Sequence, residues 1–173
     1  NWLNQHKPDL FLSPDGYCAL RAAVPQLAVM HDIAYEHFPQ HNKFLQQKYY
    51  EFFMPRFAHK AARIATVSEY SKSDIAKYYG IEPQKIDVVY SAVKENFLPL
   101  TTVQKQQASD TFAAGKEYFV YAGSVNPRKN VANMLRAFNL FKEETGSDMK
   151  LVIAGAKGWQ TGEIFSTWET LQH

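Results

Sequence analysis

One cysteine, Cys18, is all that the 173 residues contain, so no intrachain disulfide can form. Such usage fits a reducing compartment, and the cytoplasm is the default reading. Charge of one sign is equally scarce in blocks. The formal net charge is +2, no run of like charges reads as a nucleic-acid-binding tail, and nucleic acid is not an expected partner. No stretch approaches the roughly 18 apolar residues that span a bilayer. A basic-plus-apolar leader is missing, but so is an initial methionine. The opening "NWLNQHKPDLFLSPDG" reads as the tail of a helix entering a strand, which makes the chain an expected central fragment of a longer protein. Also missing are HExxH, the G-x-S-x-G nucleophile turn, a DxD-like metal pair, the Rossmann G-x-G-x-x-G and the P-loop. Zinc-protease and serine-hydrolase chemistry therefore have no support.

What is present is apolar material enough for a sizeable core: 46% hydrophobic residues, with 12 Phe and 10 Tyr. It is arranged as six short runs, "DLFLS" from Asp9, "LAVMHD" from Leu27, "RIATVS" from Arg63, "DVVY" from Asp87, "YFVYAG" from Tyr118 and "LVIAG" from Leu151. Their length and β-branched content predict buried parallel strands. Helical patterns lie between them. Leu45, Tyr49, Phe52, Phe53, Phe57 and Ala61 fall near helical spacing, with Pro55 expected to kink or split the helix. A second helix is predicted to open on Ser71–Asp74, a capping-box-like start, and to stop at Gly80. A third carries Val131, Met134, Leu135, Phe138 and Phe141 in one apolar stripe and ends before Gly146. Strand, helix, strand with short turns predicts an α/β fold of doubly wound halves. The polar stretch 94–116 reads as an interdomain connection carrying a short helix, between 1–93 and 117–173. Four candidate strands precede it and two follow, so neither half is expected to be a complete domain.

"YAGSVNPRKN", Tyr121 to Asn130, lies between a strand and a helix. A helix start offers unpaired N–H groups and partial positive charge, so an anion there gains hydrogen bonds and Coulomb energy together. Arg128 and Lys129 would add full charges, and Gly123 would permit close approach. The plainer reading is a solvated turn in which Asn130 caps the helix; residue types alone leave both open. His31 and Asp32 close the second apolar run, where parallel sheets present ligand-binding side chains. The plainer reading there is a hydrogen-bonded strand-end histidine. His31, His37 and His41 raise the question of zinc, yet neither a metal-binding pattern nor a nearby cysteine supports it. Ser68 either serves a site or starts a helix. The aromatic run "YYEFFMPRF" reads as core, with any face left over available to an acceptor or a membrane surface.

Four blocks, "AVMHDIAYEHFPQH", "ARIATVSEYSKSDIAKYYGIEPQKIDVVYSAVKENFLPL", "YFVYAGSVNPRKNVANMLRAF" and "LVIAGAKGW", resemble in order and spacing those of the family-four retaining glycosyltransferases, especially mannosyltransferase-like members. The resemblance implies a GT-B architecture, two Rossmann-like domains facing across a cleft. Residues 1–93 would belong to the acceptor domain and 117–173 to the nucleotide-sugar domain. It places Lys129 and Arg128, with Gly123 and Ser124, at the donor diphosphate. In many relatives an arginine stands where this chain has Ser124. His31 matches the histidine that reaches toward the donor sugar, and Gly155, followed by Ala156, Lys157 and Gly158, matches a second loop near the nucleotide. Ser91-Ala92-Val93 replaces the usual Asn-Gly-Val. The family's glycine-rich acceptor loop and its pair of glutamates with seven residues between them are not in this sequence; the resemblance implies them before residue 1 and after His173.

By the same resemblance the reaction is transfer of a sugar, mannose from GDP-mannose being the best match, to a saccharide or lipid-linked acceptor with retention. No metal cofactor is expected. Contact with the inner face of a membrane is a further implication for the full-length protein. The competing class is a non-catalytic phosphate- or nucleotide-binding module of the same fold, kept open by Ser124 and by "SAV".

Overall fold

Strands β1 (Phe11–Ser13), β2 (Gln26–Val29), β3 (Arg63–Thr66) and β4 (Ile86–Val88) form one parallel sheet in the order β1-β2-β3-β4. Phe11 stands opposite Gln26, Leu27 opposite Arg63 and Ile64 opposite Ile86. This computed structural model describes residues 2–158 and 161–171. It divides into two units, Asn1–Lys94 and Glu95–His173, each considered by itself below.

In the first unit, a short helix α1 (Trp2–His6) precedes β1, and α2 (Ala34–His37) and α3 (Phe44–Lys60) connect β2 to β3. Helix α4 (Glu69–Tyr79) leads from β3 toward β4. Strands laid down in sequence order require successive right-handed crossovers, which keep the connecting helices on one face. The main core results: Ala28, Ile64 and Ile86 from the sheet meet Met54, Phe57 and Ala58 of α3 and Ile75 and Tyr79 of α4, while Leu3, Ala22 and Val24 form a smaller cluster. Ile64, Ile75 and Ile86 are fully buried, each worth about 2 kcal/mol in apolar transfer.

Three expectations change here. Pro55 neither splits nor ends α3, which runs as one helix from Phe44 to Lys60. Pro55 lacks an N–H and so forfeits one intrahelical bond, but burial of its neighbours Met54, Phe57 and Ala58 holds the turn. Helix α4 begins at Glu69 rather than Ser71, because Ser68 takes the N-cap position and its Oγ accepts the Ser71 N–H at 3.1 Å. The αL residue Gly80 stops it, as predicted. The aromatic run of α3 is only half core: Tyr49 and Phe52 are 40% and 52% exposed, and ahead of the run Phe44 and Leu45 are 74% and 81% exposed. The buried line runs instead through Gln47, Met54, Phe57 and Ala58.

In the second unit, α5 (Thr102–Ala113) occupies the polar stretch, opened by a capping box between Thr101 and Gln104. Strands β5 (Tyr118–Ala122) and β6 (Lys150–Ala154) pair in parallel along their whole length. Between them runs α6 (Val131–Thr145), and α7 (Gly162–Thr170) follows β6. Val131, Ala132 and Leu135 of α6 pack with Val125 and Ile164. Phe138 and Phe141, further along the stripe, are half-buried and meet the ring of Phe119 edge-on. Gly146 closes α6 in the left-handed region, its N–H donating to the Lys142 carbonyl. Trp159, in the last resembling block, lies outside the described residues.

Candidate functional site

Beyond Ala122 the chain continues alongside the extension of β6. The Gly123 and Val125 N–H groups donate to the carbonyls of Ala154 and Ala156, each at 2.9 Å, and the Gly158 N–H donates back to Val125 at 2.8 Å. Two loops, 123–126 and 155–158, are thus joined by backbone bonds. Glycine makes the approach possible: a Cβ on Gly155 would stand 1.8 Å from the Gly123 carbonyl oxygen, and one on Gly158 would stand 2.8 Å from that of Val125. Tyr121, at the end of β5, braces the loop from below by donating its hydroxyl to the Ser124 carbonyl at 3.0 Å.

Pro127–Lys129 then form one 3-10 turn. The Lys129 and Asn130 N–H groups close back onto Asn126 and Pro127. Asn130 adopts the left-handed conformation at φ 55°, and α6 starts at Val131. The expected side-chain cap by Asn130 is not made; its Oδ1 accepts instead from Asn133 Nδ2 at 2.9 Å. The early N–H groups of α6 consequently have no side-chain cap, the condition under which a helix start can accept an anion. Ser124, Arg128 and Lys129 are exposed around this turn. Lys157, on the second loop, has its ammonium 4.4 Å from the centre of the Phe165 ring, a cation-π contact. Beside it, between β6, α6 and α7, lies a cavity of about 430 Å³ walled largely by apolar side chains such as Leu135, Ile153, Ile164 and Trp168.

His31 belongs to the first unit, two residues past the end of β2. Its side chain is exposed while its backbone is fixed. The Met30 N–H donates to the Ala65 carbonyl at 2.8 Å, the Thr66 hydroxyl donates to the His31 carbonyl at 3.3 Å, and Asp32 Oδ1 accepts the Ala34 N–H at 2.9 Å. Asp32 therefore serves the start of α2, and His31 is left to project from the carboxyl end of a parallel strand. The other histidines have separate roles. His37 Nε2 lies 2.8 Å from Asp74, linking α2 to α4, and His41 stacks on Phe38. His41 is half-buried rather than exposed, with its Nδ1 covered. Among the described residues no group of three His, Cys, Asp or Glu side chains is placed to hold a metal. Ser91–Val93 run as exposed irregular chain after β4. Cys18 is buried in the first core, and burial pushes its thiol pKa up, which suppresses the thiolate.

Sequence reasoning missed two groups of residues. Asn126 is 1% exposed, and its Nδ2 donates to Ser124 Oγ at 2.8 Å. The signal was an Asn just before Pro127, a position at which amides commonly bond local loop groups. In the first unit, the Tyr79 hydroxyl donates to Glu36 at 2.7 Å and lies 3.1 Å from that of Tyr35. This network clamps α2, which follows the His31 loop, onto α4. Burial, above all, pushes both tyrosine pKa values upward.

The comparisons with known proteins agree with this architecture. Glycosyltransferase Family 4 matches residues 1–97 and Glycosyl transferases group 1 matches residues 102–170. The chain belongs to glycosyltransferase family 4. It is 26% identical to the O-antigen chain mannosyltransferase B of Escherichia coli, across 96% of this chain and 44% of that protein. It is likewise 26% identical to the O-antigen chain mannosyltransferase RfbU of Salmonella typhimurium, across 69% of this chain and 31% of that protein. The Anabaena Alr3699/HepE structure, solved in complex with UDP and glucose, shares the fold with a TM-score of 0.66 at 15% identity, covering 95% of this chain and 44% of its own. The fold is accordingly α/β with parallel sheets, of GT-B type. The chain spans less than half the length of these relatives.

Proposed function

We propose that the intact protein is a retaining hexosyltransferase that moves mannose from GDP-mannose to a saccharide or lipid-linked acceptor. One observation carries this reading: an uncapped helix start, two exposed cations and a serine hydroxyl gather on a loop whose backbone is held by a second glycine loop. In such a reaction the bond from the anomeric carbon to the diphosphate oxygen breaks, and negative charge grows on the departing phosphate. Arg128, Lys129 and the α6 N–H groups meet that charge electrostatically, the task a bound metal performs in other transferases. The departing phosphate takes the proton that the acceptor hydroxyl loses as the new glycosidic bond forms. His31 orients the sugar by polar contact. Mannose is favoured because both curated relatives named above are mannosyltransferases.

The exposed face of α3 supports the reading of a lipid-linked acceptor and action at a membrane surface. Its exposed Phe44, Leu45, Tyr49 and Phe52 are interleaved with Lys48 and Arg56, the Arg56 guanidinium lying 3.6 Å from the centre of the Phe52 ring. An apolar stripe beside the Arg56 guanidinium, with Lys48 paired to Glu51 at 2.6 Å, suits the inner face of an anionic membrane.

The test is Lys129→Ala in the full-length enzyme, which is expected to lower turnover of the nucleotide-sugar by about one to three orders of magnitude, the scale for one lost contact to developing charge. Unchanged turnover would remove the claim. The second reading, a non-catalytic module, is favoured only by Ser124 and by "SAV" at 91–93. Calorimetry against a panel of nucleoside diphosphates excludes a module that ignores them all, and sugar turnover by the full-length protein separates the transferase from a module that only binds nucleotide.

A further inference from the structure

We propose that Asn126 is a positioning residue that makes the Ser124 hydroxyl a dedicated hydrogen-bond donor to the diphosphate. The inference rests on the reading above that this loop holds one. A serine hydroxyl can both give and accept. Here its oxygen accepts from Asn126 Nδ2 at 2.8 Å, so its own proton remains for an outside acceptor. Two further contacts fix the geometry. The Tyr121 hydroxyl holds the Ser124 carbonyl, and Gly158 lies so close that a Cβ there would stand 3.1 Å from Asn126 Cβ. The asparagine is therefore walled in while the serine it addresses is exposed.

The fold alone does not account for this amide. Asn126 Oδ1 is buried and, among the described residues, has no hydrogen-bond partner. A buried amide that leaves its oxygen unsatisfied is costly and calls for another reason to be present. Orienting a neighbour's proton is such a reason. A hydroxyl with a fixed direction supplies a directed hydrogen bond to a phosphate oxygen.

The experiment is a double-mutant cycle on the full-length protein, read by calorimetric titration with GDP and UDP. Asn126→Asp presents only acceptors, so Ser124 would turn its proton inward. GDP or UDP binding is expected to weaken at least about tenfold, the scale of a hydrogen bond to a charged group. In a Ser124→Ala background the same change should weaken it several-fold less, since only the added charge then acts. Asn126→Ala provides the same cycle without the charge. Ser124→Thr, which keeps the hydroxyl, should retain both binding and the unliganded melting temperature of the parent. Equal weakening by the Asn126 changes in both backgrounds overturns the role of Asn126 while leaving the diphosphate reading intact. A parent protein that binds neither nucleotide overturns both.

Discussion

Gly155 and Gly123 stand so close that the first cannot carry a side chain: a Cβ at 155 would lie 1.8 Å from the Gly123 carbonyl oxygen. That oxygen is backbone and has no rotamer by which to move aside. Gly155→Ala is therefore expected to force the two loops apart and break the Val125-to-Ala156 bond next to the contact. Loss of one or two backbone bonds plus the overpacking costs about 2–4 kcal/mol. Thermal unfolding of the full-length protein should report it as a clear drop in Tm, with nucleotide affinity falling in parallel. An unchanged Tm would mean that the close approach is not present in solution.

His31 has a fixed backbone and an exposed ring. If the ring addresses the sugar rather than the diphosphate, His31→Ala lowers turnover by a larger factor than it lowers nucleoside diphosphate affinity. The reverse ratio, measured by steady-state kinetics beside a titration, would assign the ring to the nucleotide.

Tyr35 and Tyr79 lead to a pH expectation. Burial raises both pKa values above the ordinary phenol value of 10.0. A group whose folded pKa lies above its unfolded one gives stability that is complete below the unfolded value and is lost as pH climbs past it. Stability should thus be level with respect to these groups up to about pH 9 and fall steadily above 10. In Tyr79→Phe the alkaline slope should flatten, even though the variant is less stable at neutral pH through loss of the Glu36 bond. A slope identical to that of the parent would show that these hydroxyls do not control alkaline unfolding.

The α3 face is testable by flotation with vesicles. Full-length protein should bind phosphatidylglycerol-containing vesicles more strongly than neutral ones, and less so at high salt. Replacing Phe44 and Leu45 with serine should abolish most of that binding while leaving Tm nearly unchanged, because both side chains are already solvent-exposed. Retained binding would rule out this face as the contact.

All six strands were legible in the sequence, because short β-branched runs between turn residues have few other fates in a chain of this type, but the burial expected of them fails in β5, where Phe119 and Val120 are 49% and 64% exposed. The helical stripe of α6 was legible for a related reason: Val131 and Leu135 repeat with the helix and are buried. The α3 face was not. Its aromatic residues are spread too widely round the helix for spacing to tell a core from a surface, and Gln47, a polar residue, is buried in their stead. The start of α4 was legible only as a choice, because Ser68 and Ser71 both have the chemistry of a cap, and the backbone geometry chose Ser68. At the candidate site, Arg128 and Lys129 were visible as charges. The Asn126–Ser124 bond was not, because it depends on a loop path fixed by contacts with residues some thirty positions away.

The two joined loops have a consequence for how such a protein can diversify. Their shape is written almost wholly in main-chain bonds and glycines, which carry no chemical preference of their own. The side chains at 124, 128 and 156 project exposed from a frame set by the main chain. Substitutions at those positions can change which anion or sugar is favoured without a new loop having to fold.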